Sequence, residues 1–132
     1  MNIGFIGLGN VGAKLAGSLL RHEIELTVRD IDKTAAADLL ESGAKWADTG
    51  RALAEASDVI ITCLPSPAVS AEVMEQDGGV IEGLSAGKIW LEMSTTDEDE
   101  VKRVGALVAA KGAIALDAPV SGGCHRATTG NI

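Results

Sequence analysis

The chain has 132 residues, of which 46% are hydrophobic, and this length suits one ordinary domain with a core of its own. Its 11 basic and 19 acidic residues give a net charge of -8, which argues against nucleic acid and against an anionic membrane surface as partners. The sequence contains neither a cleavable leader nor an apolar run long enough to span a bilayer, so we expect a cytoplasmic protein.

The cysteines and histidines do not predict a metal site. Cys63 falls in a predicted buried strand and Cys124 in a glycine-rich loop, without CxxC spacing or a neighbouring cluster of metal-ligating residues. His22 and His125 lie far apart in the sequence. We therefore interpret both thiols as structural or incidental and expect neither a metal site nor a disulfide.

Five short apolar runs alternate with longer amphipathic stretches, and they predict buried β-strands. In chain order these runs are NIGFIG (2–7), IELTVRD (24–30), DVIITCLP (58–65), GKIWLEMS (87–94) and GAIALDAP (112–119). The amphipathic stretches between the runs predict helices.

The first predicted helix runs from Val11 to His22, with apolar residues at helical spacing. Ile31 to Ser42 repeats this pattern, with Ala35, Leu39 and Leu40 expected to face inward. The remaining predicted helices are Thr49 to Ser57, Pro67 to Glu75, and Thr96 to Ala110. Thr96 is the expected N-cap of the last helix, and the acidic run DEDE (97–100) is interpreted as its first turn rather than as a ligand cluster.

The regular alternation of strand and helix predicts parallel pairing with right-handed crossovers. The expected fold class is therefore α/β, with a doubly wound, mainly parallel sheet and helices on both of its faces. We find no internal linker or repeat, so residues 1–132 are expected to form one domain.

Gly7, Gly9 and Gly12 form a GxGxxG motif that follows the first strand and opens the first helix. Asp30 ends the second strand about twenty residues later, where a dinucleotide-binding domain places a carboxylate on the ribose. In such a domain the first glycine makes the tight turn, the second lets the pyrophosphate approach, and the third packs the helix against the strand. Glycines that only allow close packing would leave the position of Asp30 unexplained. The predicted cofactor-binding loop comprises Gly7, Leu8, Gly9, Asn10, Val11 and Gly12.

The residue pair at the end of the second strand bears on the choice of cofactor. The carboxylate of Asp30 can accept a hydrogen bond from the 2'-hydroxyl of NAD, but it repels the 2'-phosphate of NADP, so NAD is favoured. Arg29 could accommodate that phosphate if its side chain turned toward the site. Because neighbouring strand residues point to opposite faces, we do not expect both side chains to serve the same ribose.

The segments GFIGLGNVG, VIITCLP, LEMST and DAPVSGG, in this order, resemble the β-hydroxyacid dehydrogenase family. That family includes the 3-hydroxyisobutyrate dehydrogenases and tartronate semialdehyde reductases, with 6-phosphogluconate dehydrogenase more distant. The resemblance covers essentially the whole chain. It implies a Rossmann-type NAD-binding domain of an oxidoreductase that reversibly oxidises a small 3-hydroxy acid to its semialdehyde.

The resemblance also implies further site residues at positions that match the family's motifs. The implied additional cofactor contacts are Leu64, Pro65, Ser94 and Thr95, and the implied substrate contacts are Ser121, Gly122 and Gly123. Their placement agrees with the general rule that ligands of open α/β sheets bind beyond the carboxyl ends of the strands. A serine followed by two glycines also exposes a hydroxyl and backbone amides to a carboxylate. His125 and Arg126 could contribute to this pocket or could simply be solvated.

The family's catalytic lysine lies in a later portion, which includes an all-helical second domain. The lysines present here all precede the DAPVSGG loop, and none matches that position: Lys14, Lys33, Lys45, Lys88, Lys102 and Lys111. We therefore assign no catalytic residue and expect a domain truncated before the C-terminal helical domain. Such a chain would bind NAD but have little dehydrogenase activity by itself.

Two other functions remain possible at this point. One is a non-catalytic NAD-binding module, and the other is an S-adenosylmethionine-dependent methyltransferase, which shares a glycine-rich first loop but explains neither LEMST nor DAPVSGG. We also expect self-association, because a sheet without the family's later elements would expose apolar surface or an unpaired strand.

Overall fold

The computed structural model describes residues 1–132 and contains six β-strands and seven α-helices. The strands are β1 (Asn2–Ile6), β2 (Glu25–Arg29), β3 (Lys45–Trp46), β4 (Val59–Thr62), β5 (Ile89–Glu92) and β6 (Ile114–Asp117). The helices are α1 (Gly12–Arg21), α2 (Ala37–Glu41), α3 (Gly50–Glu55), α4 (Pro67–Glu75), α5 (Val80–Gly83), α6 (Glu98–Ala110) and α7 (Gly123–Ala127). A 3-10 helix, Lys33–Ala36, precedes α2.

All six strands pair in parallel, in the order β3-β2-β1-β4-β5-β6. The chain first moves outward from β1 to β3 and then returns to place β4 on the other side of β1. This is the strand order of the Rossmann fold, with its switch point between β1 and β4.

Each face of the sheet carries its own hydrophobic core. One cluster joins β1 and β2 to residues of α1, α2 and α7, including Phe5 and Leu15. The other joins β4 and β5 to residues of α3, α4, α5 and α6, including Ile60 and Trp90. Alternate residues of the strands face opposite clusters, as a buried parallel sheet requires. The predicted doubly wound α/β fold is confirmed.

The predicted helix from Ile31 to Ser42 is wrong at its beginning. Asp32 caps a 3-10 turn instead, because its carboxylate accepts hydrogen bonds from the amide and the hydroxyl of Thr34 at 3.0 and 2.7 Å. The tighter turn shifts the buried position by one residue, so that Ala35 is exposed and Ala36 is buried. Leu39 is buried as predicted.

The cap of α6 also differs from the prediction, whereas its acidic first turn is confirmed. The N-cap is Asp97 rather than Thr96, and its carboxylate accepts from the amides of Asp99 and Glu100 at 3.0 and 3.2 Å. Glutamates and an aspartate in the next positions face the positive end of the helix dipole. The DEDE run therefore supplies the N-cap and the acidic first turn of α6.

Three short elements were missing from the sequence prediction: β3, α5 and α7. They are two, four and five residues long, too short for a periodic pattern to form. Strand β3 exists because it pairs with β2, with Thr27 opposite Lys45 and Val28 opposite Trp46.

None of the helices has the length and apolar character that crossing a membrane requires.

Candidate functional site

A cavity of about 850 Å³ opens at the carboxyl ends of β1, β2, β4 and β5. The segments that follow these strands line it, together with one side of α4 and part of the segment after β6. Its position coincides with the switch point of strand order between β1 and β4. Its volume falls in the range of about 300–1,000 Å³ that is usual for small-molecule and cofactor sites.

The turn between β1 and α1 leaves no room for a side chain at two of its three glycines. Gly7 has φ +98°, and a Cβ atom there would lie 2.2 Å from the carbonyl oxygen of Cys63. A Cβ atom at Gly12 would lie 1.9 Å from the carbonyl oxygen of Gly7. The first glycine therefore permits both the turn and its close approach to β4, and the third permits α1 to begin directly against the turn.

Gly9 differs from its two neighbours because a Cβ atom there would meet nothing within 4 Å. It lines the cavity, so a side chain at this position would occupy ligand space rather than protein. No side chain caps the N-terminus of α1, and its first turn contains no acidic residue. The positive end of this helix therefore borders the cavity and suits an anionic group such as a pyrophosphate.

Asp30 joins the end of β2 to the glycine turn. One oxygen of its carboxylate accepts a hydrogen bond from the amide of Leu8 at 2.6 Å, and the other accepts from the amide of Asp32 at 2.9 Å. Asp30 lines the cavity, but Leu8 does not, because its side chain is buried in the hydrophobic core. Leu8 therefore contributes to this site through its backbone amide, which holds the carboxylate of Asp30.

Arg29 and Asp30 both line the cavity, although alternation along a strand predicts opposite faces. The reason is that β2 ends at Arg29, so Asp30 lies beyond the regular pleat. The guanidinium of Arg29 donates hydrogen bonds to the carbonyl oxygens of Ala47, at 3.2 Å, and Asp48. Its donors are thus directed in part toward the segment after β3.

The predicted contacts after β4 and β5 are held together by a hydrogen bond. The amide of Leu64 donates to the hydroxyl oxygen of Ser94 at 2.7 Å. Leu64 and Ser94 line the cavity, as do their neighbours Pro65 and Thr95. The four residues therefore form one wall of the cavity.

The predicted substrate segment reaches the same cavity through two of its three residues. Ser121 and Gly123 line it, whereas Gly122 does not. Gly122 and Gly123 have φ of +106° and +73°, and Gly122 is the N-cap of α7. The segment is thus a tight turn into a short helix rather than an open loop, and His125 and Arg126 lie on that helix outside the cavity lining.

One side of α4 also lines the cavity, although the sequence motifs did not predict it. The residues are spaced as one helical face: Val69, Glu72, Val73 and Gln76. Their signal was the i, i+3, i+4, i+7 spacing, counted from a helix whose start at Pro67 was correctly predicted. This face presents two apolar side chains, a carboxylate and an amide to a ligand.

The cavity contains a thiol but no amine. Burial raises the pKa of the Cys63 thiol, and the charge of nearby Glu92 adds to the rise, so Cys63 stays protonated at neutral pH and is a poor nucleophile. Cys63 and Cys124 are both free thiols. No lysine lines the cavity.

Residues 2–132 match the family model described as the NAD binding domain of 6-phosphogluconate dehydrogenase. The chain belongs to this family. The match spans the glycine turn, Asp30 and every other residue assigned to the cavity. Together with the relatives described next, this match confirms the sequence resemblance to the hydroxyacid dehydrogenases. The match also supports NAD as a cofactor.

Two curated relatives and one solved structure illustrate the similarity. Mitochondrial 3-hydroxyisobutyrate dehydrogenase of Rattus norvegicus is 36% identical over 130 residues, which are 98% of this chain and 39% of the relative. The 2-(hydroxymethyl)glutarate dehydrogenase of Eubacterium barkeri is 33% identical over 132 residues, covering 100% of this chain and 44% of the relative. The structure of Psf3 in complex with NADP+ and 2-OPP superposes with a TM-score of 0.90 at 31% identity, over 96% of this chain and 45% of Psf3. This chain therefore spans less than half the length of each.

The unequal surroundings of the glycines predict different outcomes for two alanine substitutions. Gly9→Ala places its methyl group in open space, so the free energy of unfolding should change by about 1 kcal/mol or less, whereas NAD affinity should fall at least about tenfold. Gly12→Ala places its methyl group against the Gly7 carbonyl and should destabilise the fold by about 2 kcal/mol or more. Urea denaturation and calorimetric titration with NAD measure the two effects. Unchanged NAD affinity in Gly9→Ala would contradict the assignment of this turn to the pyrophosphate.

Proposed function

We propose that this chain is the cofactor-binding part of an oxidoreductase that uses NAD to oxidise a small 3-hydroxy acid reversibly to its semialdehyde. The observation that carries the proposal is that the glycine turn, Asp30 and the segment from Ser121 to Gly123 all reach one cavity. The cavity thus offers a dinucleotide site next to a turn suited to a carboxylate. The names of the Rattus norvegicus and Eubacterium barkeri relatives support a substrate of this class.

In this proposal each part of the cavity has a distinct task. The N-terminus of α1 holds the pyrophosphate, with Gly9 leaving space for it, and Asp30 accepts hydrogen bonds from the ribose. Ser121 and Gly123 hold the substrate carboxylate and its neighbouring hydroxyl. Bound NAD supplies the hydride acceptor.

The chain offers no amine for proton transfer at the site. Oxidation of a hydroxyl group requires a base for its proton, and loss of a positioned acid or base costs about 100- to 10,000-fold in rate. The β-hydroxyacid dehydrogenases use a lysine for this step, but no lysine lines this cavity. We therefore propose that the chain by itself binds NAD but turns over 3-hydroxy acids slowly or not at all, as a non-catalytic NAD-binding module would.

Binding and turnover can be tested separately on the 132-residue chain. Calorimetric titration should show NAD binding and no S-adenosylmethionine binding, whereas preference for the latter would favour a methyltransferase. Incubation with NAD and a panel of 3-hydroxy acids should produce little NADH absorbance. Rapid turnover would contradict the proposal that the chain by itself has little dehydrogenase activity.

Asp30 provides a test of cofactor selectivity. Asp30→Asn removes the negative charge that opposes a 2'-phosphate but keeps an oxygen that can accept from the Leu8 amide. We expect the preference for NAD over NADP to fall at least about tenfold, as measured by the ratio of the two dissociation constants.

Glu72→Gln is the matched control for this substitution, because Glu72 is a second carboxylate that lines the same cavity. It should leave the ratio of dissociation constants unchanged if the effect of Asp30 is local. An equal change in both variants would assign selectivity to the total charge of the cavity and remove the specific role of Asp30.

We also propose that the chain self-associates through the β6 edge of the sheet. Strand β6 has only β5 as a neighbour, and two of its apolar side chains, Ile114 and Leu116, are 53% and 48% exposed. An unpaired edge beside exposed apolar side chains favours contact between copies. Light scattering should detect a species larger than the 13.5 kDa monomer, and Leu116→Lys should reduce it. A monomer at all concentrations would refute this proposal.

A further inference from the structure

Glu92 is the one charged residue among the fully buried side chains, with 0% of its surface exposed. It ends β5, where it lies opposite Thr62 of β4 and Asp117 of β6. Trp90 and Val104 border the same small gap between sheet and helices, and both are buried. A carboxyl group is costly in such an apolar setting unless its oxygens have hydrogen-bond donors.

Both oxygens of the Glu92 carboxyl group have a donor. The hydroxyl of Ser70, on α4, donates to Oε2, and the amide of Ser94 donates to Oε1 at 2.9 Å. Glu92 makes no ion pair within 4.0 Å with a basic side chain. The carboxyl group is therefore held by two neutral donors from different segments of the chain.

The hydrogen bonds continue from Glu92 into the wall of the cavity. Ser94, fixed through its amide, uses its hydroxyl oxygen to accept from the amide of Leu64 at 2.7 Å. Three consecutive hydrogen bonds thus connect α4, the end of β5 and the segment that follows β4. Each of these segments contributes residues to the cavity, through Val69, Ser94 and Leu64 respectively.

We propose that Glu92 is a positioning residue for the cofactor: its carboxyl group, out of reach of any ligand, fixes the spacing between two loops and a helix that bound NAD contacts. This proposal rests on the proposed function. Its physical basis is that fully satisfied buried polar networks specify one arrangement of the segments they join, whereas apolar packing tolerates several. A single fixed arrangement lowers the cost of binding because less of the site has to be ordered by the ligand.

Two substitutions at this position separate hydrogen bonding from burial. Glu92→Gln keeps an acceptor for the Ser94 amide and places an amide group beside the Ser70 hydroxyl, which can then act as the acceptor. Glu92→Leu keeps a side chain of comparable bulk but leaves both donors without a partner. We expect NAD dissociation constants within about twofold of the unsubstituted chain for Gln and at least about tenfold weaker for Leu.

The measurement combines calorimetric NAD titration with thermal unfolding, at a temperature where each variant is folded. Val108→Ala is the control for destabilisation alone, because Val108 is fully buried on α6 and does not line the cavity. It should lower the melting temperature and leave NAD affinity unchanged. If Glu92→Leu does not fold, Ser70→Ala carries the test, with an expected loss of about threefold in affinity from one missing hydrogen bond.

The outcomes distinguish this inference from the proposed function. Absence of NAD binding by the unsubstituted chain would refute the proposed function itself. NAD binding that is equal in the unsubstituted, Glu92→Leu and Ser70→Ala chains would overturn the positioning role while leaving the proposed function intact. An equal loss in Glu92→Gln and Glu92→Leu would also overturn it, because the charge rather than the hydrogen bonds would then be responsible.

Discussion

The close contact among Gly7, Gly12 and the backbone of Cys63 is the constraint on which the site depends. Cβ atoms at the two glycines would lie within about 2 Å of backbone carbonyl oxygens, as the distances of 2.2 and 1.9 Å show. These contacts bring the start of α1 against the ends of β1 and β4, at the point where strand order reverses. Two glycines without side chains allow this tight turn beside the cavity, and among the three glycines of the motif only Gly9 faces open space.

Polar contacts then fix the segments around this turn. Asp30 accepts from the Leu8 amide on one side of the cavity, and Ser94 accepts from the Leu64 amide on the other. Both acceptors are side chains just past the end of a strand, and both donors are amides of a neighbouring segment. On each side of the cavity, adjacent segments are therefore joined to each other as well as to the core, which suits a ligand that must contact several loops at once.

The fold and much of the site were predictable because their signals are local. The apolar runs and the helical stripes gave five strands and the main helices, and the GxGxxG motif with Asp30 located the cavity. Strand β3 was not predictable, since two residues contain no period and the strand forms only by pairing with β2. Ala35 was wrongly predicted to be buried because Asp32 caps a 3-10 turn. A 3-10 turn has fewer residues per turn than an α-helix, so the α-helical spacing pointed to the wrong residue.

The hydrogen-bonding role of Glu92 could not be predicted from sequence patterns, for a different reason. Ser70, which donates to Glu92, lies 22 residues away in the sequence, and Leu64, which donates to Ser94, lies 30 residues from Ser94. Only the folded sheet brings these residues together. In the sequence Glu92 stood as one polar residue within an apolar run, without an indication that it would be buried. The α4 face was within reach, since its spacing is regular, but the direction in which that face points depends on tertiary packing.

The central claim is that this chain binds NAD across the carboxyl ends of β1, β2, β4 and β5. Nuclear magnetic resonance of the nitrogen-15-labelled chain during NAD titration tests it most directly. Amide signals of Gly9, Asp30 and Thr95 should shift together and saturate with one dissociation constant. Those of Val108 and Gly112, which precede β6 and do not line the cavity, should not shift. Shifts that spare the glycine turn, or that are spread evenly over the molecule, would contradict the account.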